Sequence, residues 1–223
     1  MLRKTILIWN SVVFSIWLTL PFHLAGTVFW PAGWLHLGIV IAGVVGESIH
    51  VSRRNPGLKK RRAEIGEGTK PWDLVWNLIF WPFMASIAIT GGTQYGTSGS
   101  TLPVWWCFIG AAVMSVGFAM SATAMGSNPF FEGTVRIQTD ARHCVFEGGP
   151  YQYIRHPGYL GLILWAAGTP MLLLSTWALI AAAATNGWII ARTALEDHTL
   201  KNELPGYRNY THRTRFRLFP GIW

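Results

Sequence analysis

The polar residues that could do chemistry in this 223-residue chain gather in two short segments. The first runs Gly149-Pro150-Tyr151-Gln152-Tyr153-Ile154-Arg155-His156-Pro157-Gly158-Tyr159-Leu160-Gly161. Pro157 suits a first helical position and disfavours helix at the residue before it. Arg155 and His156 are therefore expected at a helix mouth, where free backbone N–H groups make an anion site. Gly158 and Gly161 leave one helix face bare enough for a ligand or another backbone to approach. The second segment is Arg192-Thr193-Ala194-Leu195-Glu196-Asp197-His198-Thr199-Leu200, in which Arg192, Glu196 and Leu200 are spaced to share a helical face. An anion site, one arginine and two carboxylates facing one another would suit a zwitterionic or mixed-charge ligand. The competing account is a snorkelling, salt-bridged helix end.

The elements that must position these segments are apolar. Hydrophobic residues make up 51% of the chain and charged ones only 13%, against about 25% charged in ordinary soluble domains. Eighteen Lys+Arg against ten Asp+Glu give +8, but the basic residues punctuate apolar runs instead of forming one stripe, which argues against nucleic-acid binding. No charged side chain occurs from Thr5 to Gly46, from Leu74 to Phe131, or from Gly158 to Ala191. A spanning helix needs about 20 apolar residues, so the fold expected is all-α and polytopic. It has about six membrane helices in hairpins, roughly 5–25, 31–50, 72–90, 103–125, 158–174 and 176–192. Turns are expected at 26–31, from Gly91-Gly92 through Ser98–Thr101, and at Thr169-Pro170 and Ser175-Thr176. Residues 1–102 would form the N-terminal helices and a basic loop, and 103–223 the core carrying both polar segments, within one structural domain. Every Lys and Arg lies at Arg3-Lys4, 53–70, 136–155 or 192–217. Cationic flanks stay cytoplasmic, so both termini and both long loops are expected there, and the polar segments at the cytoplasmic mouth of the last hairpin.

Other signals are weaker. The run Arg53 to Arg62 could attract anionic lipid heads or serve only as topogenic charge. Glu47, a carboxylate inside a span, is either functional or close enough to the cytoplasmic end to reach water or a basic neighbour. His23 and His36 read as interfacial or hydrogen-bonded residues. Trp30, Trp72, Trp105, Trp106 and Trp177 read as interfacial anchors. Cys107 and Cys144 offer neither a disulfide nor a metal pairing, and no metal site is expected. Gly66-Glu67-Gly68 is only a fragment of a nucleotide loop.

The same residues carry a resemblance. The Gly-Pro-Tyr-x-Tyr-x-Arg-His-Pro-x-Tyr-x-Gly run at 149–161, continued by Trp165 to Thr169, resembles the signature of the isoprenylcysteine carboxyl methyltransferase family. That family sits within a membrane group that includes phospholipid methyltransferases. Upstream, Asn128, Val135, Gln138 and His143 are similar to its Val-x-x-Gln…His segment. Downstream, Arg192, Glu196-Asp197, Leu200, Tyr207 and Tyr210 fit its Arg…Glu-Glu…Leu…Tyr-x-x-Tyr pattern, with Asp in place of the second Glu. The similarity covers about residues 103–220.

The resemblance implies an S-adenosylmethionine-dependent membrane methyltransferase. Gln138, His143, Tyr151, His156, Tyr159, Gly161 and Glu196 would contribute to the cofactor pocket, and Arg192 would act near the reacting centre. The leading reading is carboxyl O-methylation of a prenylated or otherwise lipophilic acceptor arriving through the bilayer. A carboxylate is already ionised at neutral pH, and an arginine can orient it through two parallel hydrogen bonds. Thiol S-methylation and phospholipid N-methylation stay open beside it; both need a proton removed, for which His156, Glu196 and Glu47 are candidates. A membrane NADPH-dependent reductase and a non-enzymatic membrane protein are the remaining classes. The expected location is an integral multi-pass one, in the inner membrane if the source is bacterial or the endoplasmic reticulum if eukaryotic.

Overall fold

The computed structural model describes residues 2–62 and 66–223, except the side chains at 2–7, 10 and 11. Among these residues all regular structure is helical: α1 (Leu2–Leu24), α2 (Pro31–Arg54), α3 (Leu58–Arg62), α4 (Pro71–Ser98), α5 (Trp105–Ser127), α6 (Pro157–Leu172), α7 (Thr176–Glu203) and α8 (Tyr207–Arg213). Short 3-10 turns at Thr139–Ala141 and Gly149–Gln152 interrupt the long loop between α5 and α6. α2, α4, α5 and α7 are long and apolar enough to cross a membrane. Large apolar side chains such as Ile41, Phe108 and Ile180 point outward along them, as they do where the solvent is lipid. The side chains of Arg3 and Lys4, expected to flank the first span, lie outside the described residues.

Proline and glycine set the packing. Pro82, inside α4, has no N–H to give to the carbonyl one turn back, and the Trp9 indole N–H of α1 donates to that carbonyl, of Leu78, at 3.1 Å. α5 and α6 meet almost backbone to backbone. A Cβ on Gly161 would lie 2.7 Å from the Gly117 carbonyl oxygen, and one on Gly117 equally close to that of Gly161. Gly110 and Gly168 repeat the arrangement further along. Small residues permit this approach where no hydrophobic effect drives helices together. The bare face on α6 at Gly161 is thus taken up by another helix.

Several boundaries differ from expectation. α4 runs through Gly91-Gly92 to Ser98 and stops at Gly99, whose φ of 73° ends the helix. A helical glycine costs only about 1 kcal/mol, and here Gly92 and Gly96 let α4 approach the carbonyls of Pro21 and Leu24. α7 continues past Arg192 to Glu203, whereas α6 has only 16 residues. Trp30 is fully buried against Tyr95 and is a core residue, unlike Trp105 and Trp177, which are exposed. His36 is buried edge-on to Trp17, and its Nε2 has no partner among the described residues.

The two ends of the bundle differ in chemistry. One is neutral: Gln94 accepts from the Ser175 hydroxyl at 2.5 Å and from the Trp177 N–H at 3.0 Å, and donates to Thr176. The other holds the long loop, α3, α8 and the ion pairs Lys70–Glu203 and Arg213–Glu147.

Candidate active site

At the charged end, two carboxylates fix the frame. Asp197 of α7 is fully buried and accepts from Arg155 Nε at 2.7 Å, Arg217 Nε at 2.8 Å and Lys201 Nζ at 2.9 Å. The Tyr207 hydroxyl adds a bond at 3.2 Å, and His156 Nε2 stands 3.5 Å away. Arg155 also donates to the carbonyls of Thr214 and Arg215. Asp197 thus ties the mouth of α6, the end of α7 and the tail into one unit. It does not face the ligand space beside Glu196, as the sequence led us to expect, because consecutive helical residues project about 100° apart.

The expected anion site is also altered. The backbone N–H groups of Arg155 and His156 donate to the carbonyls of Phe216 and Arg217, both at 3.0 Å, so the tail occupies them.

The second carboxylate, Asp73, opens α4. It is fully buried, accepts from the Val135 N–H at 2.7 Å, and pairs with Arg192 through Nε at 2.8 Å and Nη2 at 3.3 Å. Arg192 Nη2 also donates to the Gly133 carbonyl at 3.0 Å. The guanidinium lies over the Trp76 ring at 4.1 Å and the Tyr159 ring at 5.2 Å. Sequence reasoning missed Asp73. Its signal was its isolation: it is the only acid between Glu67 and Glu132, two residues after a proline that starts a helix.

Around this frame are two cavities. A polar one of about 100 Å³ is lined by Gln138, His143, Tyr151, His156, Glu196 and Tyr207, among others. An apolar one of about 650 Å³ lies among α1, α2, α4, α5 and α6, with Phe14, Val44, Phe80, Phe118 and Trp165 in its wall. Phe131, Glu132, Gly158, Tyr159 and Arg192 line both. Seven of the eight residues singled out from the sequence therefore converge on the polar cavity; Gly161 lines the apolar one instead.

Their local chemistry is specific. The Tyr159 hydroxyl donates to Glu196, and the His156 ring stacks on Tyr159. Gln138 is buried and gives its Nε2 to the Phe130 carbonyl at 2.6 Å, leaving Oε1 without a partner among the described residues. His143 packs on Phe130; burial, then the nearby Arg136 cation, hold its imidazole below the ordinary 6.5. Burial pushes the Tyr151 phenol up and raises Tyr210 to about 12, so both are neutral hydrogen-bonding groups at physiological pH.

The core is similar to one family. The model for the isoprenylcysteine carboxyl methyltransferase family matches residues 109–202, which contain α6, most of α5 and α7, and the long loop. A protein-S-isoprenylcysteine O-methyltransferase of Dictyostelium discoideum is 34% identical over 83 residues, covering 36% of this chain and 33% of that protein. Protein-S-isoprenylcysteine O-methyltransferase B of Arabidopsis thaliana is 30% identical over 100 residues, covering 44% of this chain and 51% of that protein. The matched segments thus span at most about half the length of these two relatives. The fold extends the likeness: a solved structure of a eukaryotic intramembrane Ras methyltransferase (isoprenylcysteine carboxyl methyltransferase) superposes with a TM-score of 0.58. It does so at 17% identity, covering 96% of this chain and 75% of that one. The N-terminal helices therefore share the architecture although they carry no family motif.

Proposed function

We propose that the protein is an S-adenosylmethionine-dependent membrane methyltransferase that esterifies the carboxylate of a prenylated or otherwise lipophilic acceptor. One observation carries the reading: a polar and an apolar cavity share a wall made of Tyr159, Arg192 and their neighbours. A polar donor and an oily acceptor can meet across such a wall without either leaving its own medium. The names of the relatives support the same chemistry.

The side chains lining the polar cavity suit the functional groups of the cofactor. The unpartnered, buried Gln138 Oε1 is an acceptor of the kind an adenine amino group needs. The rings of Tyr151, Phe130 and Phe146 offer stacking faces, and Glu196 supplies a carboxylate for a cationic or hydroxylated part of the ligand. Gln138, His143, Tyr151, His156, Tyr159 and Glu196 would hold it, with Gly161 contributing through the α5–α6 contact. When bound, the cofactor supplies a methyl group already activated on a sulfonium.

What the chain must then do is orient and exclude water. Arg192 stands at the shared wall, held by Asp73 and covered by Trp76. It can direct a carboxylate oxygen towards the polar cavity with Nη1, the nitrogen not given to Asp73 or Gly133. No general base is required, because the acceptor enters ionised.

The same reading includes six membrane helices in three hairpins, with both termini and the polar cavity cytoplasmic. The concentration of Lys and Arg at one end of the bundle supports it. At ~1.5 Å per residue α6 is ~24 Å long, shorter than a hydrocarbon core of ~30 Å, so the turn at 173–175 completes its crossing.

The test is methyl transfer by the purified protein from labelled cofactor to a panel of a prenylcysteine, a small thiol and phosphatidylethanolamine, with calorimetry of S-adenosylhomocysteine. Label in the prenylcysteine ester and heat from the nucleoside are expected. Label in the thiol or the amine would move the acceptor class, and heat from NADPH alone would end the methyltransferase reading.

A further inference from the structure

One cation of the basic loop, solvent-accessible, borders the apolar cavity. Arg62, the last residue of α3, lines the apolar cavity with its guanidinium 5.2 Å from the centre of the Phe131 ring. Its only hydrogen bond among the described residues is a long one, 3.5 Å, to the Glu132 carbonyl, and it makes no direct ion pair among them. The charged side chains that share its cavity are Glu47, Glu132 and Arg192, with the Tyr159 phenol among them. Glu47, on α2, lines the same cavity, as does Ser121 of α5.

The two guanidiniums are not equivalent. Arg192 already has its charge met by a fully buried carboxylate at 2.8 Å, whereas Arg62 retains nearly all of its hydrogen-bonding capacity. A carboxylate drawn into an apolar cavity loses its hydration and needs a cation with free N–H groups. An ammonium there would meet both guanidiniums, while of the two carboxylates in the wall Glu132 is already paired with Arg136 and only Glu47 remains to offset them.

We infer that Arg62 binds the acceptor carboxylate beside Arg192, and that Glu47 is a positioning residue that keeps the Arg62 guanidinium turned into the cavity. The inference deepens the proposed function, on which it rests, and makes the cavity selective for an anionic over a cationic acceptor head.

The experiment uses the full chain in lipid nanodiscs, with N-acetyl-S-farnesylcysteine as acceptor and its carboxamide as a competing, unreactive analogue. The wild type is expected to prefer the carboxylate by about tenfold or more, the worth of a charge-assisted hydrogen bond. Arg62→Gln should raise acceptor KM about tenfold and abolish that preference, while S-adenosylhomocysteine affinity stays put. Arg62→Lys should restore part of both, since it keeps the charge but not the fork. Glu47→Gln should raise KM in the same direction by a smaller factor without changing nucleoside affinity. An unchanged KM and preference in Arg62→Gln, or loss of nucleoside binding in both Arg62 variants, overturns the inference. Unchanged kinetics in Glu47→Gln overturn the positioning role. Failure of the wild type to methylate any prenylated carboxylate is a different result, and removes the proposed function itself.

Discussion

Arg192 and Glu196 are one helical turn apart on α7 and both face the polar cavity, yet they are held in opposite ways. Arg192 is locked by Asp73, Gly133 and two aromatic faces, while Glu196 is half-buried and bonded to the Tyr159 hydroxyl. Arg192→Lys keeps a charge but cannot reproduce the two-nitrogen grip on Asp73. With about 1.5–3 kcal/mol at stake per charged hydrogen bond, turnover is expected to fall ten- to a hundredfold. Nucleoside affinity should change far less, as single-turnover transfer and calorimetry would separate. Equal losses in both would make Arg192 part of the cofactor pocket. His143 gives a pH signature. Its folded pKa lies below the ordinary 6.5 because of burial, so the unfolded chain binds the extra proton first as pH falls. Its contribution is full above that ordinary value and is lost as pH falls through the folded pKa. Thermal unfolding across that window should show a smaller acid loss in His143→Gln than in the wild type; superimposable profiles would count against it.

At the scale of elements, the α5–α6 contact is the tightest in the bundle, and it carries Tyr159 at its mouth. Gly161→Val forces a side chain into the Gly117 carbonyl and should cost about 1–3 kcal/mol by overpacking. Gly187→Ala on α7 is the control: nothing lies within 4 Å of the added carbon, and helix propensity predicts a gain of up to about 1 kcal/mol. Melting of the two variants in one detergent decides the matter, and equal behaviour would mean that the helices part easily. These glycines also show what the sequence could convey. The charge-free runs defined the long helices because a span has to be apolar along its whole length. The end of α4 was illegible, because a glycine pair in a helix and one in a turn look alike until a neighbouring helix is known. The glycine spacing on α6 left open whether a ligand or a backbone approached, and at Gly161 the neighbour is a backbone.

For the whole molecule, the site depends on residues far apart in sequence, which limits what a local motif can convey. The 149–161 run and the Arg192–Glu196 face were legible because they lie in continuous stretches. Asp73 and Arg62 were not, since only the packing of α4 brings Asp73 against Arg192 and only that of α3 brings Arg62 to the apolar cavity. Asp197 serves the molecule more than the site: three cations share it, and Asp197→Ala would leave Arg155 buried and unpaired. The expected cost is about 3–5 kcal/mol, seen as lowered melting with loss of nucleoside binding; unaltered melting would show that the hub is dispensable. Orientation can be read from the cysteines. Cys144 is exposed and lines the polar cavity, whereas Cys107 is buried. A membrane-impermeant maleimide should label Cys144 from the cytoplasmic side alone, and S-adenosylhomocysteine should slow that labelling. Modification from the outer side would invert the topology.

The shared wall has a consequence for inhibitor chemistry. Because five residues border both cavities, on the proposed function a short tether could join a nucleoside fragment to a farnesyl-like chain. Linkage turns the second binding event into an intramolecular one at millimolar effective concentration, so avidity can exceed either fragment's affinity by about 10²–10⁴. A pair of weak fragments, each useless alone, would then become a selective ligand.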